Sequence, residues 1–481
     1  MKKDILNSLS WQMINKVCSI GMNLIIQIIL ARLIDPKEFG NLAIITTVIT
    51  FANIFVESGI STALIQKKNL ETEDVFTVQI ISITIACIMS CILIVVAPSL
   101  GKFYRSDDLI VPMQVLSVLL FFNSINSVFT ALLIRNLEFK KLFIRTMISV
   151  PISGLFGITF AYYGYGIWAL IFYQLINAMI TSVLLIITSE TEICCKFSIK
   201  RAKSIYSFGS KILFTGIVDS FYDTIRTIII GHRYSKSDLA YYDRAYTYSR
   251  YSVQIINTSI SNIILPLFSK KQDELKELKN MARKAVGLSA FVVFPILFGL
   301  AAVARPLFLV FLTDKWESSV PFFVVFCFLR VPGVITSIDK QLFFSIGRSD
   351  IILKYSILAL VLNISLLYFI LPYGVLAIAI NTMAVEWIVS LVIMVISSKV
   401  LGYRIKDKLE DLWKPLINSG IMFIVVYACS FINNINMYFL LIIQIIVGII
   451  TYIILSYITR NENLKIIITF VKERRIEKND I

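Results

Sequence analysis

Fourteen apolar runs of about 20 residues, joined by short polar connections, dominate this chain. Each is near the length that crosses a hydrocarbon core of about 30 Å at ~1.5 Å per residue. They fall near 11–31, 41–64, 75–100, 113–134, 144–163, 167–188, 210–231, 245–268, 285–311, 320–346, 351–371, 374–398, 415–432 and 437–459. In hydrocarbon every backbone N–H and C=O must be satisfied internally, so runs of this length are helices. A soluble protein is charged at roughly a quarter of its positions. Here 16% of 481 residues are charged and 57% are hydrophobic, which excludes that class. The first run starts at Trp11 after Lys2 and Lys3, contains Lys16 and lacks a small-residue cleavage site, so it reads as a retained helix.

Basic residues orient the spans. With both termini cytoplasmic, most of the 46 Lys and Arg lie in the tails and inner connections. The outer connections hold Arg32, Lys37, Lys102, Arg105, Arg233, Lys236, Arg244 and Lys315. That asymmetry is the positive-inside bias. Clusters such as Lys196–Lys211, Lys270–Lys284 and Lys472–Lys478 suit anionic lipid headgroups, so the net charge of +15 needs no nucleic acid partner.

The chain also repeats itself. At an offset of 200 positions, Thr46, Thr50, Asn53, Glu57 and Ser61 align with Tyr246, Arg250, Val253, Asn257 and Ser261. Both sets step by four, three, four and four, which keeps them on one helix face. The register extends to Ser19 with Asp219, Asn23 with Asp223 and Glu38 with Asp238, and the turn at Tyr163–Ala169 resembles Leu371–Ala377. The expected fold is therefore an all-α integral membrane protein of fourteen transmembrane helices. Two parallel six-helix repeats surround a central cavity, and two extra helices follow. The lobes are residues 1–188 and 210–398, joined by a basic cytoplasmic linker at 189–209. The extra pair is 415–459 and the basic tail 460–481. Polar side chains are costly in hydrocarbon unless they face a wet or protein-lined interior, so two matched stripes imply a transporter's cavity.

On the first span Gln12, Lys16, Ser19, Asn23 and Gln27 share a face. On the seventh, Lys211, Thr215, Asp219, Tyr222, Asp223 and Arg226 do. Candidate substrate-binding residues are Lys16, Asn23, Arg226, Tyr246, Arg250, Gln254 and Asn257. Glu57, Asp219 and Asp223 are candidates for coupling to an ion. Each has a plainer reading beside the functional one. Lys16 snorkels, Asp223 and Arg226 neutralise each other at i,i+3, and Glu57 with Arg250 forms a structural pair across the halves. Tyr246 offers a ring face that suits a pyranose. Arg330, two residues before Pro332, reads as a local cap or pair and is left out of the site.

Several chemistries lack their residues. The single His232 has no second His or carboxylate at ligand spacing, so no metal site is expected. No GxxxxGK[ST] loop supports ATP-driven transport, and no cofactor is implied. Cys18, Cys87, Cys91, Cys327 and Cys429 lie in spans, and Cys194 with Cys195 in the linker, which is no disulfide framework. The outer loops are too short for an external active site, so the chain reads as no enzyme.

The stretches Leu33–Gly40, Gly59–Lys67, Ala97–Leu109, Ala131–Lys141, Tyr163–Leu170, Ser207–Lys211, Ile230–Ala245 and Leu265–Gln272 together carry a family likeness. Through them the chain resembles the Wzx-type exporters, the polysaccharide-transport branch of the multidrug/oligosaccharidyl-lipid/polysaccharide (MOP) flippase superfamily, whose fold the multidrug MATE exporters share. It looks most like the colanic-acid and teichuronic-acid types, over residues 5–400. The resemblance implies an alternating-access flippase in the bacterial cytoplasmic membrane. Its substrate would be an undecaprenyl-pyrophosphate-linked oligosaccharide for lipopolysaccharide, exopolysaccharide or capsule. Further partners would be membrane lipids, a polysaccharide polymerase and a chain-length regulator. By position it gives Lys16, Arg226 and Arg250 the pyrophosphate. Asp219 and Asp223 depart from a plainly cationic cavity, which keeps open a multidrug or cation antiporter of the same fold. A membrane polymerase or ligase of the same pathway would need a large outer loop.

Overall fold

The computed structural model describes residues 2–57, 64–65, 67, 70–189, 196–269, 271, 274–432, 435–465 and 469. Ser61, Cys194, Cys195, Lys270 and the tail cluster 472–478 lie outside them. So do the side chains of Lys211, Thr215, Asp219, Asp223, Asn257 and Ser261. The described residues form helices and turns, with no strand among them. The helices are α1 (Lys2–Leu33), α2 (Pro36–Glu57), α3 (Thr72–Phe103), α4 (Ile110–Leu116), α5 (Leu119–Arg135), α6 (Phe139–Tyr162), α7 (Ile167–Thr188), α8 (Ile199–Arg233) and α9 (Lys236–Ser269). They continue with α10 (Leu275–Ala302), α11 (Ala304–Leu312), α12 (Val320–Arg330), α13 (Gly333–Ser345), α14 (Ser349–Ile370), α15 (Val375–Leu401), α16 (Ile405–Ala428) and α17 (Met437–Ile458).

Among the described residues, 12 helical segments are long and apolar enough to cross a membrane, which makes this a multi-pass membrane protein. The long polar-striped helices α8 and α9 are not among the 12, so the count of fourteen crossings rests on the expectation alone. Two compact units divide the chain, Met1–Asp243 and Arg244–Ile481.

The order of elements recurs. A long helix, a short 3-10 turn, a span broken into two helices and an unbroken pair follow one another from α3 to α7 and again from α10 to α15, with α11 inserted before the second 3-10 turn. The turn after each broken span closes the same way. Glu138 N–H bonds Leu133 C=O at 2.8 Å and Arg348 N–H bonds Phe343 C=O at 2.8 Å. The left-handed residue is Leu137 (φ 60) in the first copy and Gly347 (φ 73) in the second. That closure satisfies the orphan carbonyls of a helix end.

Mid-helix prolines each free the carbonyl four residues earlier. In hydrocarbon that oxygen needs another donor. Pro98 frees Ile94, whose carbonyl accepts from Gln114 Nε2 at 3.2 Å. Pro295 frees Phe291, which accepts from Tyr452 Oη at 2.8 Å. Pro332, at the break between α12 and α13, leaves Phe328 to accept from Trp387 Nε1 at 3.1 Å. Each donor sits on a different helix from its acceptor, so the kinks also lock helices together.

Apolar packing completes each unit. In the first, Phe129, Leu132, Leu133, Phe139, Leu142 and Leu185 bind α5, α6 and α7 into one core. In the second, Phe291, Met422, Val426, Leu441 and Tyr452 pack α10 against α16 and α17.

Candidate substrate site

In unit 2, Tyr246, Arg250 and Gln254 follow one another by four on α9, so they share a face. Arg250 is exposed, while Tyr246 and Gln254 are half-buried. Arg330, the last residue of α12, joins them. Its guanidinium carbon lies 4.6 Å from the centre of the Tyr246 ring, and Phe326 meets that ring edge-on at 5.3 Å. Nε and Nη2 of Arg330 are buried with no hydrogen-bond partner. Two guanidinium nitrogens held without an acceptor beside an aromatic ring suit an anionic oxygen next to a sugar face. The break at Val331–Pro332 places this arginine, as α12 ends there instead of running on into α13.

In unit 1 the candidates separate into engaged and open groups. Asn23 donates to Ser19 C=O at 2.8 Å and accepts from Tyr173 Oη at 2.6 Å, which ties α1 to α7. Asn53 accepts from Asn123 Nδ2 at 3.2 Å and also bonds the Glu57 carboxylate at the end of α2. Arg226 is buried, with Nη2 on Tyr222 C=O at 3.2 Å and its guanidinium over the Tyr222 ring at 4.9 Å. Lys16 is half-buried on α1. Glu57 belongs to unit 1 and Arg250 to unit 2.

One end of unit 1 is closed by backbone contact. Gly40 on α2 faces the carbonyl of Lys236, and a Cβ built there would lie 1.8 Å from that oxygen. Lys236 Nζ donates to Gly231 C=O at 2.7 Å and Tyr104 C=O at 3.0 Å. His232 stacks on Phe103 at 4.2 Å, with Nδ1 2.8 Å from the Phe103 carbonyl. The start of α2, the end of α3 and the junction of α8 with α9 therefore form one plug. At the opposite end, Arg201 at the start of α8 meets Glu71 at 2.6 Å, Asp74 at 3.0 Å and Glu73 at 3.3 Å. The hydrogen bonds that Arg201 donates to the Glu71 and Asp74 carboxylates hold its guanidinium above even the usual arginine range.

Sequence reasoning missed two features. Arg330 was set aside because an arginine before a proline fits a local role, and its apolar run gave no sign that Tyr246 would lie beneath it. Lys408, assigned to an inner connection, is fully buried. Its ammonium bonds Asp339 at 2.5 Å and also Ser397. The sequence signal was Asp339, with Lys340 next to it, inside an apolar span.

Known proteins place this architecture. The family described as polysaccharide biosynthesis protein matches residues 29–321. The lipopolysaccharide biosynthesis protein WzxC of Escherichia coli is 22% identical over 90% of this chain and 89% of its own. The teichuronic acid biosynthesis protein TuaB of Bacillus subtilis is 23% identical over 89% of each. The succinoglycan biosynthesis transport protein ExoT of Rhizobium meliloti is 23% identical over 66% of this chain, which spans 65% of ExoT's length. In fold, the lipid II flippase MurJ in an inward closed conformation superposes with a TM-score of 0.77, at 19% identity over 94% of this chain and 99% of its own. An inward-facing MATE transporter of the MOP superfamily reaches 0.63 at 13% identity, over 81% and 98%. The family match covers more than half of the chain and includes α9 with Tyr246 and Arg250. This chain is a member of the polysaccharide biosynthesis protein family.

Proposed function

We propose that this protein is an alternating-access flippase. It carries an undecaprenyl-pyrophosphate-linked oligosaccharide from the cytoplasmic to the outer leaflet of the bacterial cytoplasmic membrane, for surface polysaccharide assembly. The observation that carries this reading is Arg330 over Tyr246, which sets unpartnered cationic donors beside a ring. That pair matches the chemistry of a pyrophosphate joined to a sugar. Support also comes from relatives whose names place them in lipopolysaccharide, teichuronic acid and succinoglycan biosynthesis, and from the lipid II flippase fold.

In this reading Lys16, Arg226, Arg250 and Arg330 hold the pyrophosphate as the cavity turns. Asn23, Tyr246, Gln254 and Asn257 meet the sugars, and Glu57, Asp219 and Asp223 carry the coupling cation. The lobes are residues 1–188 and 210–398, linked by 189–209, with both termini cytoplasmic. A polymerase and a chain-length regulator act beside it on the delivered unit. No bond is made or broken, so the protein is a transporter and not an enzyme.

The test is depletion in its host, with labelling of the lipid-linked units by a membrane-impermeant glycan reagent. Units that accumulate and stay protected from the reagent support the reading. Continued delivery to the outer face overturns it, and polymer export unchanged alongside lost efflux of cationic dyes assigns the protein to drug export instead.

A further inference from the structure

A cavity of about 570 Å³ opens in unit 2 between the start of α10, the start of α16 and the turn after α17. It lies where α16 passes from charged to apolar. On its wall Asp411 pairs with Arg283, and one turn earlier on α16 Asp407 pairs with Lys279, while Trp413, Leu416 and Ile417 are exposed as lipid-facing side chains are.

The charges in this cavity are not equivalent. Arg283 is committed, since Nε and Nη2 bond Asp411 at 2.9 and 2.8 Å. Asp411 also accepts from Tyr403 Oη at 2.7 Å. Lys284 has no ion-pair partner among the described residues, and Lys414 has only a 3.5 Å contact to Arg460 C=O. Asn461 is 3% exposed; its Oδ1 accepts from Asn463 N at 3.0 Å, yet its Nδ2 is buried with no partner. A buried amide donor left unmade is costly and calls for an acceptor. Lys284 and Lys414 line the same cavity as Asn461, and two spare ammonium groups there suit a phosphate oxygen. Glu410 and Glu462, both exposed, add two carboxylates to the same wall. They repel a purely anionic ligand and suit a primary ammonium.

We propose that this cavity binds a phosphoethanolamine group, its phosphate on Lys284, Lys414 and Asn461 and its ammonium on Glu410 and Glu462. The apolar residues beside it on α16 favour a membrane aminophospholipid as the source. A free phosphoethanolamine ester is the other source of the same chemistry. Neither depends on the flippase reading, because the site lies apart from Tyr246 and Arg330.

The experiment reads quenching of Trp413 in the full-length protein, reconstituted with brominated-acyl phosphatidylethanolamine, phosphatidylglycerol or phosphatidylcholine at equal fraction. Trp413→Phe supplies the background of the other tryptophans. The expected result is roughly tenfold preference for the ethanolamine lipid, the worth of one charge-assisted hydrogen bond. Lys284→Gln with Lys414→Gln should abolish that binding. Glu410→Gln with Glu462→Gln should keep it and admit phosphatidylglycerol equally. Displacement of the lipid by soluble phosphoethanolamine supports the same site and assigns it to the free ester. Equal quenching by all three lipids, or a preference unchanged in both double variants, overturns the proposal.

Discussion

Gly40 and Lys236 touch through backbone alone: a Cβ at Gly40 would sit 1.8 Å from the Lys236 carbonyl oxygen. Two turns at one end of unit 1, one before α2 and one before α9, can close only because position 40 has no side chain. Overpacking of this kind costs about 1–3 kcal/mol, and here it falls on backbone that cannot swing away.

Gly40→Val is therefore expected to disfavour the closed plug and slow polymer export on the order of tenfold. Export would be compared at equal membrane abundance, with a Cys pair at Ser237 and Asn41 reporting closure by cross-linking. Normal export with normal cross-linking would refute the plug.

Arg330→Ala removes donors that have no partner of their own, so it should cost little stability and much transport. A charged hydrogen bond is worth about 1.5–3 kcal/mol, or roughly a 10- to 150-fold loss in substrate retention. Arg330→Lys should recover only part, since an ammonium lacks the flat guanidinium that stacks on Tyr246. Thermal inactivation and lipid-linked unit binding, measured on the same preparations, separate the two effects.

Tyr452→Phe strips the donor from the Phe291 carbonyl that Pro295 leaves open, at a cost of about 1 kcal/mol. In a Pro295→Ala background the restored N–H serves that carbonyl, so the same change should cost less. A double-mutant cycle on unfolding midpoints gives the coupling, and a coupling of zero would break the link between proline and tyrosine.

Lys408→Met alone strands a buried Asp339 carboxylate and should destabilise by about 3–5 kcal/mol, as loss of one partner of a buried pair does. Adding Asp339→Leu should recover most of that loss, because a packed apolar pair needs no desolvation. Retained activity at raised stability in the double variant would mark the pair as structural. Lost activity at full stability would place it in the transport cycle.

The amino-acid sequence alone determined the membrane class, the helices, the recurrence at an offset near 200 and the polar face that carries Tyr246, Arg250 and Asn257. All of these rest on hydropathy and on the 3.6-residue period, which act between near neighbours in the chain. Tertiary structure decided which polar groups are spent and which are spare. Asn23 lies on the polar face of α1 by sequence, and only the fold shows its oxygen accepting from Tyr173, 150 positions away. Arg330 looked local until the break at Pro332 laid it on Tyr246, and Lys408 looked solvated until it met Asp339. Such partnerships join distant residues through geometry that no local pattern encodes. In a low-dielectric interior, the presence or absence of one partner decides whether a charged group is structural or available to a ligand.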